Sequence, residues 1–229
     1  MDDQTDIQRT GDAEEKPASP GIPRIGDMAP LFEAETTFGP LRLEDFRDSW
    51  LVFFSHPADF TPVCTTEFVA FAKCYNKFQE IGAELLGLSI DSIFSHIGWV
   101  RNIEDTFKLK IPFPIVADVD ARVARLYGMI MPGDSTTETS RCVFVIDPAG
   151  KIRATVYYPL TTGRNVDEIL RLVTALQTAD KHTVATPVNW RPGEPVIVPP
   201  PRTQEAADER IREGYTCRDW YFCTKELQR

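Results

Sequence analysis

The sequence predicts an α/β sandwich, a mixed central sheet flanked by helices. Two observations carry this. Short apolar runs alternate with stretches of helical spacing through the first two thirds of the chain, and a pair of strands joined by a tight turn follows, with one more helix behind them. Composition agrees: 42% hydrophobic and 26% charged residues in a chain of 229 suit one domain with a sizeable core plus extra segments.

The elements follow in order. Residues 1–22 are polar, acidic and rich in Gly and Pro, and read as a disordered leader ahead of a folded domain at 23–180. WLVFFS at 50–55 suits a buried strand. A helix runs from near Thr61 to about Glu80, with Phe68, Phe71, Tyr75 and Phe78 on one face. ELLGLSID at 84–91 is a second buried strand. Ile97, Val100, Ile103 and Phe107 restore helical spacing, with Ser95 as the expected N-cap. FPIVA at 113–117 is a third strand, and Ala121–Tyr127 a short helix stopped by Gly128. Strands at 141–147 and 151–157 are joined by Asp147-Pro148-Ala149-Gly150, a strong turn signal. Asn165 and Glu168 resemble a capping box opening a helix with Val166, Ile169, Leu170, Val173 and Leu176 on one face. The thioredoxin fold has this element order.

Beyond residue 180 the character changes, and 181–229 reads as a C-terminal extension arm. PVNWRPGEPVIVPPP is too rich in proline for a core element and is expected to be extended. A short polar helix is expected at 203–213. The aromatic segment YTCRDWYFC is expected to pack on something rather than hang in water.

Several functions are disfavoured. A formal net charge of −9 argues against nucleic-acid binding, because phosphates would be repelled. No apolar run approaches the roughly 20 residues that cross a bilayer. The N-terminus lacks a basic start followed by an apolar stretch, so a cytoplasmic location is expected. The cysteines are 64, 74, 142, 217 and 223, five in all, an odd number without C-x-x-C spacing. A secreted disulfide framework and a zinc site are both poorly supported, and thiol redox chemistry is the better expectation.

The chemistry concentrates in His56-Pro57-Ala58-Asp59-Phe60-Thr61-Pro62-Val63-Cys64, which leaves a strand and opens a helix. A cysteine in a first helical turn meets unpaired N–H groups and the positive end of the helix dipole. Both favour the thiolate that a nucleophile needs. Thr61 can bring its hydroxyl to the sulfur, accepting one hydrogen bond and donating another to a bound substrate. Pro57 and Pro62 stiffen the loop, and Pro57 can shield the sulfur. Attack by a thiolate sends charge onto a departing atom, which calls for a preorganised donor. Arg141 opens a strand whose neighbours Val143 and Val145 look buried, so its charge needs a partner or a function. An arginine at the strand edge pointing into water is the bland alternative. Glu67, one turn after Cys64, could orient such an arginine, although a solvated helix glutamate is commoner.

The run SHPADFTPVCTTEF resembles the active-site signature of peroxiredoxins, with Pro57, Thr61 and Cys64 in the P-x-x-x-T-x-x-C positions. The His before that Pro, LSIDS, TSRCVFVIDPAGKI, TTGRNVDEILR and ATPVNW resemble the 1-Cys or type six subfamily, over roughly residues 22–228. The resemblance implies a thioredoxin fold, hydrogen peroxide and organic hydroperoxides as substrates, and no metal or haem. It implies Cys64 as the peroxidatic residue, Thr61 and Arg141 as its activators, and Arg164 as a second arginine near the site. It also implies dimers, and often rings of five dimers.

Attack on peroxide leaves Cys64 as a sulfenic acid that must be reduced before it over-oxidises. Cys217-Arg218-Asp219-Trp220-Tyr221-Phe222-Cys223 is similar to the C-terminal C-x-D-W-x-F-C of archaeal and some bacterial members of this subfamily. There the later cysteine resolves the sulfenic acid, usually from a partner subunit. The expectation here is Cys223 as resolving residue, Cys217 as second choice or disulfide relay, and thioredoxin or a similar dithiol as reductant. Two inert thiols in an aromatic docking patch are the alternative.

Cys74 and Cys142 are expected to be packing residues, and His56 either a substrate contact or a structural histidine. Trp99 and Trp190 are more often core or interface than catalytic. Asp48-Ser49-Trp50 partly resembles a lipase-like G-D-S-W-G, but Arg47 and Leu51 replace the glycines its turn needs. Rival functions are a peroxide sensor or redox relay, and an oligomeric holdase that needs no Cys64.

Overall fold

The computed structural model describes residues 22–210 and 212–227. Apart from Ile22, the expected leader lies outside the described residues. Two short strands, β1 (Glu33–Thr36) and β2 (Gly39–Arg42), form a hairpin that the sequence reading did not anticipate. EAET and GPLR lack the apolar runs by which the inner strands were found, and their side chains are mostly exposed or half-buried. A 3-10 turn at Leu43–Phe46 leads to β3 (Trp50–Ser55) and then α1 (Pro62–Glu80).

Next come β4 (Ala83–Ser89), α2 (Ile93–Phe107), β5 (Ile115–Ala117) and α3 (Arg122–Leu126). Helix α2 starts earlier than expected. Its N-cap is Ser92, whose hydroxyl accepts from the Ser95 N–H at 3.2 Å, so Ser95 lies inside the first turn. The strand pair is β6 (Arg141–Ile146) and β7 (Ile152–Tyr158). In the turn between them, Asp147 Oδ1 accepts from the Ala149 and Lys151 N–H groups at 3.0 and 2.9 Å. Gly150 sits there at φ +81°, a conformation that suits a residue without Cβ. Helix α4 (Val166–His182) is capped by Asn165, whose side chain accepts from the Glu168 N–H.

These strands make one sheet in the order β2-β1-β5-β4-β3-β6-β7. The inner pairs β3–β4 and β4–β5 are parallel and the others antiparallel, so the sheet is mixed, as expected. Side chains of β3 alternate between its faces. Val52 and Phe54 join Phe68, Phe71, Phe78, Trp99 and Val173 in one core layer. Leu51 and Phe53 join Phe32, Leu88, Tyr127 and Phe144 in the other. Both faces being covered explains why WLVFFS reads as a continuous apolar run.

The C-terminal region is more structured than an extended arm. β8 (Val196–Val198), α5 (Gln204–Arg210), β9 (Thr216–Asp219) and β10 (Phe222–Lys225) follow, and the strands form a second sheet in the order β8-β10-β9. Val196 and Trp190 pack with Ala175 and Val184 in a small third core. Proline brackets β8 without interrupting it, because Pro195 and Pro199 fall just outside its three residues. The aromatic residues do not pack inside the chain: Trp220, Tyr221 and Phe222 are 43%, 55% and 37% exposed.

Candidate active site

The end of β3 delivers the loop His56–Thr61, and Pro62 then opens α1, its fixed φ and missing N–H suiting a first helical position. Phe60 is held at φ +55°, an uncommon backbone conformation for a bulky residue, immediately before the Thr61 N-cap. Cys64 falls in the first turn with its side chain fully buried, and Pro57 is buried beside the loop.

Thr61 gives the helix no side-chain cap. Its hydroxyl donates to the Ala58 carbonyl at 2.8 Å. The proton expected for a bound peroxide is therefore committed within the loop, and the oxygen offers its lone pairs instead.

Arg141 is buried, and it reaches the sulfur: Nη1 lies 3.3 Å from Cys64 Sγ. The same Nη1 donates to Glu67 Oε2 at 2.8 Å, while Nε and Nη2 donate to the Leu160 carbonyl at 3.0 and 2.7 Å. The guanidinium is thus aimed from two sides. The strand-edge arginine pointing into water is not what forms.

Glu67 is 3% exposed and not a solvated helix residue. It joins both arginines. Arg164 donates to Glu67 Oε1 from Nε and to Oε2 from Nη2, at 2.8 and 2.7 Å, and its backbone N–H adds a bond at 2.8 Å. Arg164 Nη1 donates to the carbonyls of Ser55 and Cys142 at 2.8 and 2.9 Å. Arg164 is therefore tied to Glu67 and backbone carbonyls. Burial by itself would raise the Glu67 carboxyl, but the charge and hydrogen bonds of Arg164, then the Arg141 charge, hold it below the usual range. Two arginines and one glutamate leave a buried excess of one positive charge, which a negatively charged sulfur at Cys64 would balance.

His56 is buried, and its Nε2 lies 2.9 Å from Asp59 Oδ1. Asp59 Oδ2 lies 2.8 Å from His96 Nδ1, and His96 Nε2 lies 3.1 Å from the Val116 carbonyl. Burial would raise Asp59, yet hydrogen bonds from the two imidazoles outweigh it and hold the carboxyl well below its ordinary range. Burial pushes the His56 imidazole below its ordinary value, against the pull of Asp59. Its Nδ1 has no partner among the described residues. The ligating atoms of these three side chains lie within 4.8 Å of one another. The nitrogens facing Asp59 are at hydrogen-bond distance from it, which accounts for the cluster without a metal ion. Sequence reading missed Asp59 and His96. Asp59 lies inside the motif, but nothing local links it to His96, 37 residues on.

The other cysteines divide cleanly. Cys142 is buried and its thiol is pushed up to about 12 by that burial, while Cys74 is half-buried on α1. Cys217 and Cys223 form a disulfide, and Cys64 is free. The structure therefore pairs the expected resolving cysteine with its neighbour and not with Cys64.

Known proteins resemble this chain closely. Residues 25–155 match the AhpC/TSA family, and residues 175–214 match the C-terminal domain of 1-Cys peroxiredoxin. A peroxiredoxin of Aquifex aeolicus is 58% identical over 218 residues, spanning 90% of this chain and 98% of that protein. One from Methanosarcina mazei is 50% identical over 215 residues, with 90% and 98% covered. Among solved structures, a yeast mitochondrial 1-Cys peroxiredoxin aligns with a TM-score of 0.80 at 42% identity, covering 89% of this chain and 99% of that one. A cysteine-to-serine mutant of peroxiredoxin 6 from Arenicola marina aligns with a TM-score of 0.79 at 34% identity, covering 90% and 99%.

Proposed function

The chain belongs to the AhpC/TSA family and is a peroxiredoxin, a peroxidase enzyme with an antioxidant role, and on that premise we propose that Cys64 is the sulfur that attacks the hydroperoxide. The observation that carries this is the Arg141 Nη1 contact with Cys64 Sγ at 3.3 Å. Thiolate attack on the distal oxygen breaks the O–O bond, and the departing oxygen takes a proton. Arg141 stabilises the negative sulfur and the charge that develops across the breaking bond. Thr61 accepts the peroxide O–H through its free lone pairs. Pro57 shields the site, Glu67 and Arg164 hold Arg141 in place, and His56 supports the loop.

Cys64 is left as a sulfenic acid. Cys223 of a partner subunit attacks it, water leaves, and an intersubunit disulfide forms. A sulfur with no exposed surface meets a second cysteine only when the first turn of α1 opens. Cys217 then attacks Cys223 and expels Cys64 as a thiolate, leaving the Cys217–Cys223 disulfide. Finding that disulfide beside a free Cys64 supports this order. A thioredoxin-like dithiol reduces it, and the protein works as a homodimer or a ring of dimers in the cytoplasm. The peroxidase domain spans 23–180, and 181–229 carries the resolving chemistry.

The test is peroxide consumption by the wild type and by Cys64→Ser, coupled to thioredoxin. Loss of consumption in the variant is expected. Retained consumption would remove Cys64 from the mechanism. Retained client protection by Cys64→Ser would favour the holdase reading.

A further inference from the structure

The C-terminal disulfide joins two sulfurs in unequal surroundings. Cys217 stands opposite Cys223 across the β9–β10 pair, and β10 is the middle strand of its sheet. Cys223 therefore has a strand on each side, and it is 1% exposed. Cys217 stands on the edge strand β9, half-buried, between exposed Thr216 and Arg218. The turn beside it carries Trp220 and Tyr221, both exposed.

Disulfide exchange needs an incoming thiolate in line with the S–S bond, behind the sulfur it attacks, so access selects the sulfur. Cys217, half-buried on the edge strand, keeps surface open to that approach. The approach to Cys223 is covered by the sheet. Once released, the Cys223 thiol has the Asp219 carbonyl, 3.4 Å from its Sγ, to receive its S–H.

We propose that Cys217 is the sulfur attacked by the dithiol reductant and that Cys223 is the leaving group, an inference that rests on the disulfide relay described above. The reductant's first thiolate bonds to Cys217 Sγ. The Cys217–Cys223 bond breaks, and its electron pair goes to Cys223, which takes up a proton. The reductant's second thiolate attacks the reductant's first sulfur and expels Cys217, which is then protonated. The reductant departs as a disulfide, two electrons poorer, and both C-terminal cysteines are thiols. The two cysteines thus divide the work: Cys223 faces Cys64, and Cys217 faces the reductant.

The experiment traps the first step. Full-length protein is oxidised with one equivalent of hydrogen peroxide and mixed with a thioredoxin whose second active-site cysteine is replaced by serine. It is then quenched in acid and mapped by mass spectrometry. The expected result is a mixed disulfide on Cys217 in about tenfold or greater excess over Cys223. An adduct on Cys223, equal adducts on both, or none on either overturns the proposal. The relay is read separately, before thioredoxin is added. If peroxide does not produce the Cys217–Cys223 linked peptide, the relay fails, and trapping on diamide-oxidised protein still decides which sulfur is attacked.

Discussion

Glu67 grips Arg164 with both carboxylate oxygens, Oε1 taking Nε at 2.8 Å and Oε2 taking Nη2 at 2.7 Å. Oε2 also accepts from Arg141, so the arginine beside Cys64 is oriented by a carboxylate that the other arginine holds. Such buried charges are costly to leave unpaired, and that sets the first expectation.

Glu67→Gln strands two buried guanidinium groups. It should lower stability by about 3–5 kcal/mol, measured by denaturant unfolding at pH 7, and slow peroxide reduction through a misplaced Arg141. Stability unchanged within error would mean that the triad does not hold the site.

The same carboxyl gives a pH dependence. Its native pKa is depressed, so the unfolded chain binds the proton first. The stabilisation is fully present above the unfolded value near ~4.3 and is lost as pH falls toward the lower native value. Wild-type stability should therefore decline below about pH 4.3, and Glu67→Gln should lack that component. Parallel pH curves for the two proteins would contradict this.

Arg141→Lys keeps a positive charge but cannot touch Cys64, Glu67 and the Leu160 carbonyl together with a single ammonium group. Stopped-flow measurement should show peroxide reduction slowed by roughly 100-fold. Arg164 directs its hydrogen bonds to Glu67 and backbone carbonyls and not to the sulfur, so Arg164→Lys should lose more stability than rate. Equal rate losses in the two variants would erase the distinction.

Thr61 is expected to act through an oxygen lone pair. Thr61→Ser should keep most of the rate, and Thr61→Val should lose about 10-fold or more. A Val variant as fast as the Ser variant would remove the hydroxyl from the mechanism.

Native-state alkylation separates the thiols. Cys142, buried with its thiol pushed up to about 12, should resist iodoacetamide at pH 8 while Cys64 reacts. Labelling of Cys142 as fast as Cys64 in folded protein would contradict its packing role.

Much of the site was legible in the chain because its parts are close together. Pro57 and Thr61 lie in one strand-to-helix connection and Cys64 in the helical turn that follows it, and Pro62 marks the helix start by local sterics alone. The apolar runs of β3, β4 and β6 announce buried strands for the same local reason. The β1–β2 hairpin and β8 escaped because short, half-exposed or proline-flanked strands carry little pattern.

The side chains alone thus pointed to a candidate nucleophilic cysteine at a helix entrance and to Arg141 as a candidate to serve it, while Arg164 came from the family resemblance. Only the tertiary structure decided which groups meet. Arg141 lies 77 residues from Cys64, and Arg164 lies 97 from Glu67. Their encounter depends on sheet order, which sets β6 beside β3 so that Arg141 lies by the strand that delivers the loop to Cys64. Periodicity and capping report interactions over a few residues. Strand order is a property of the whole packed core, so no local segment encodes it.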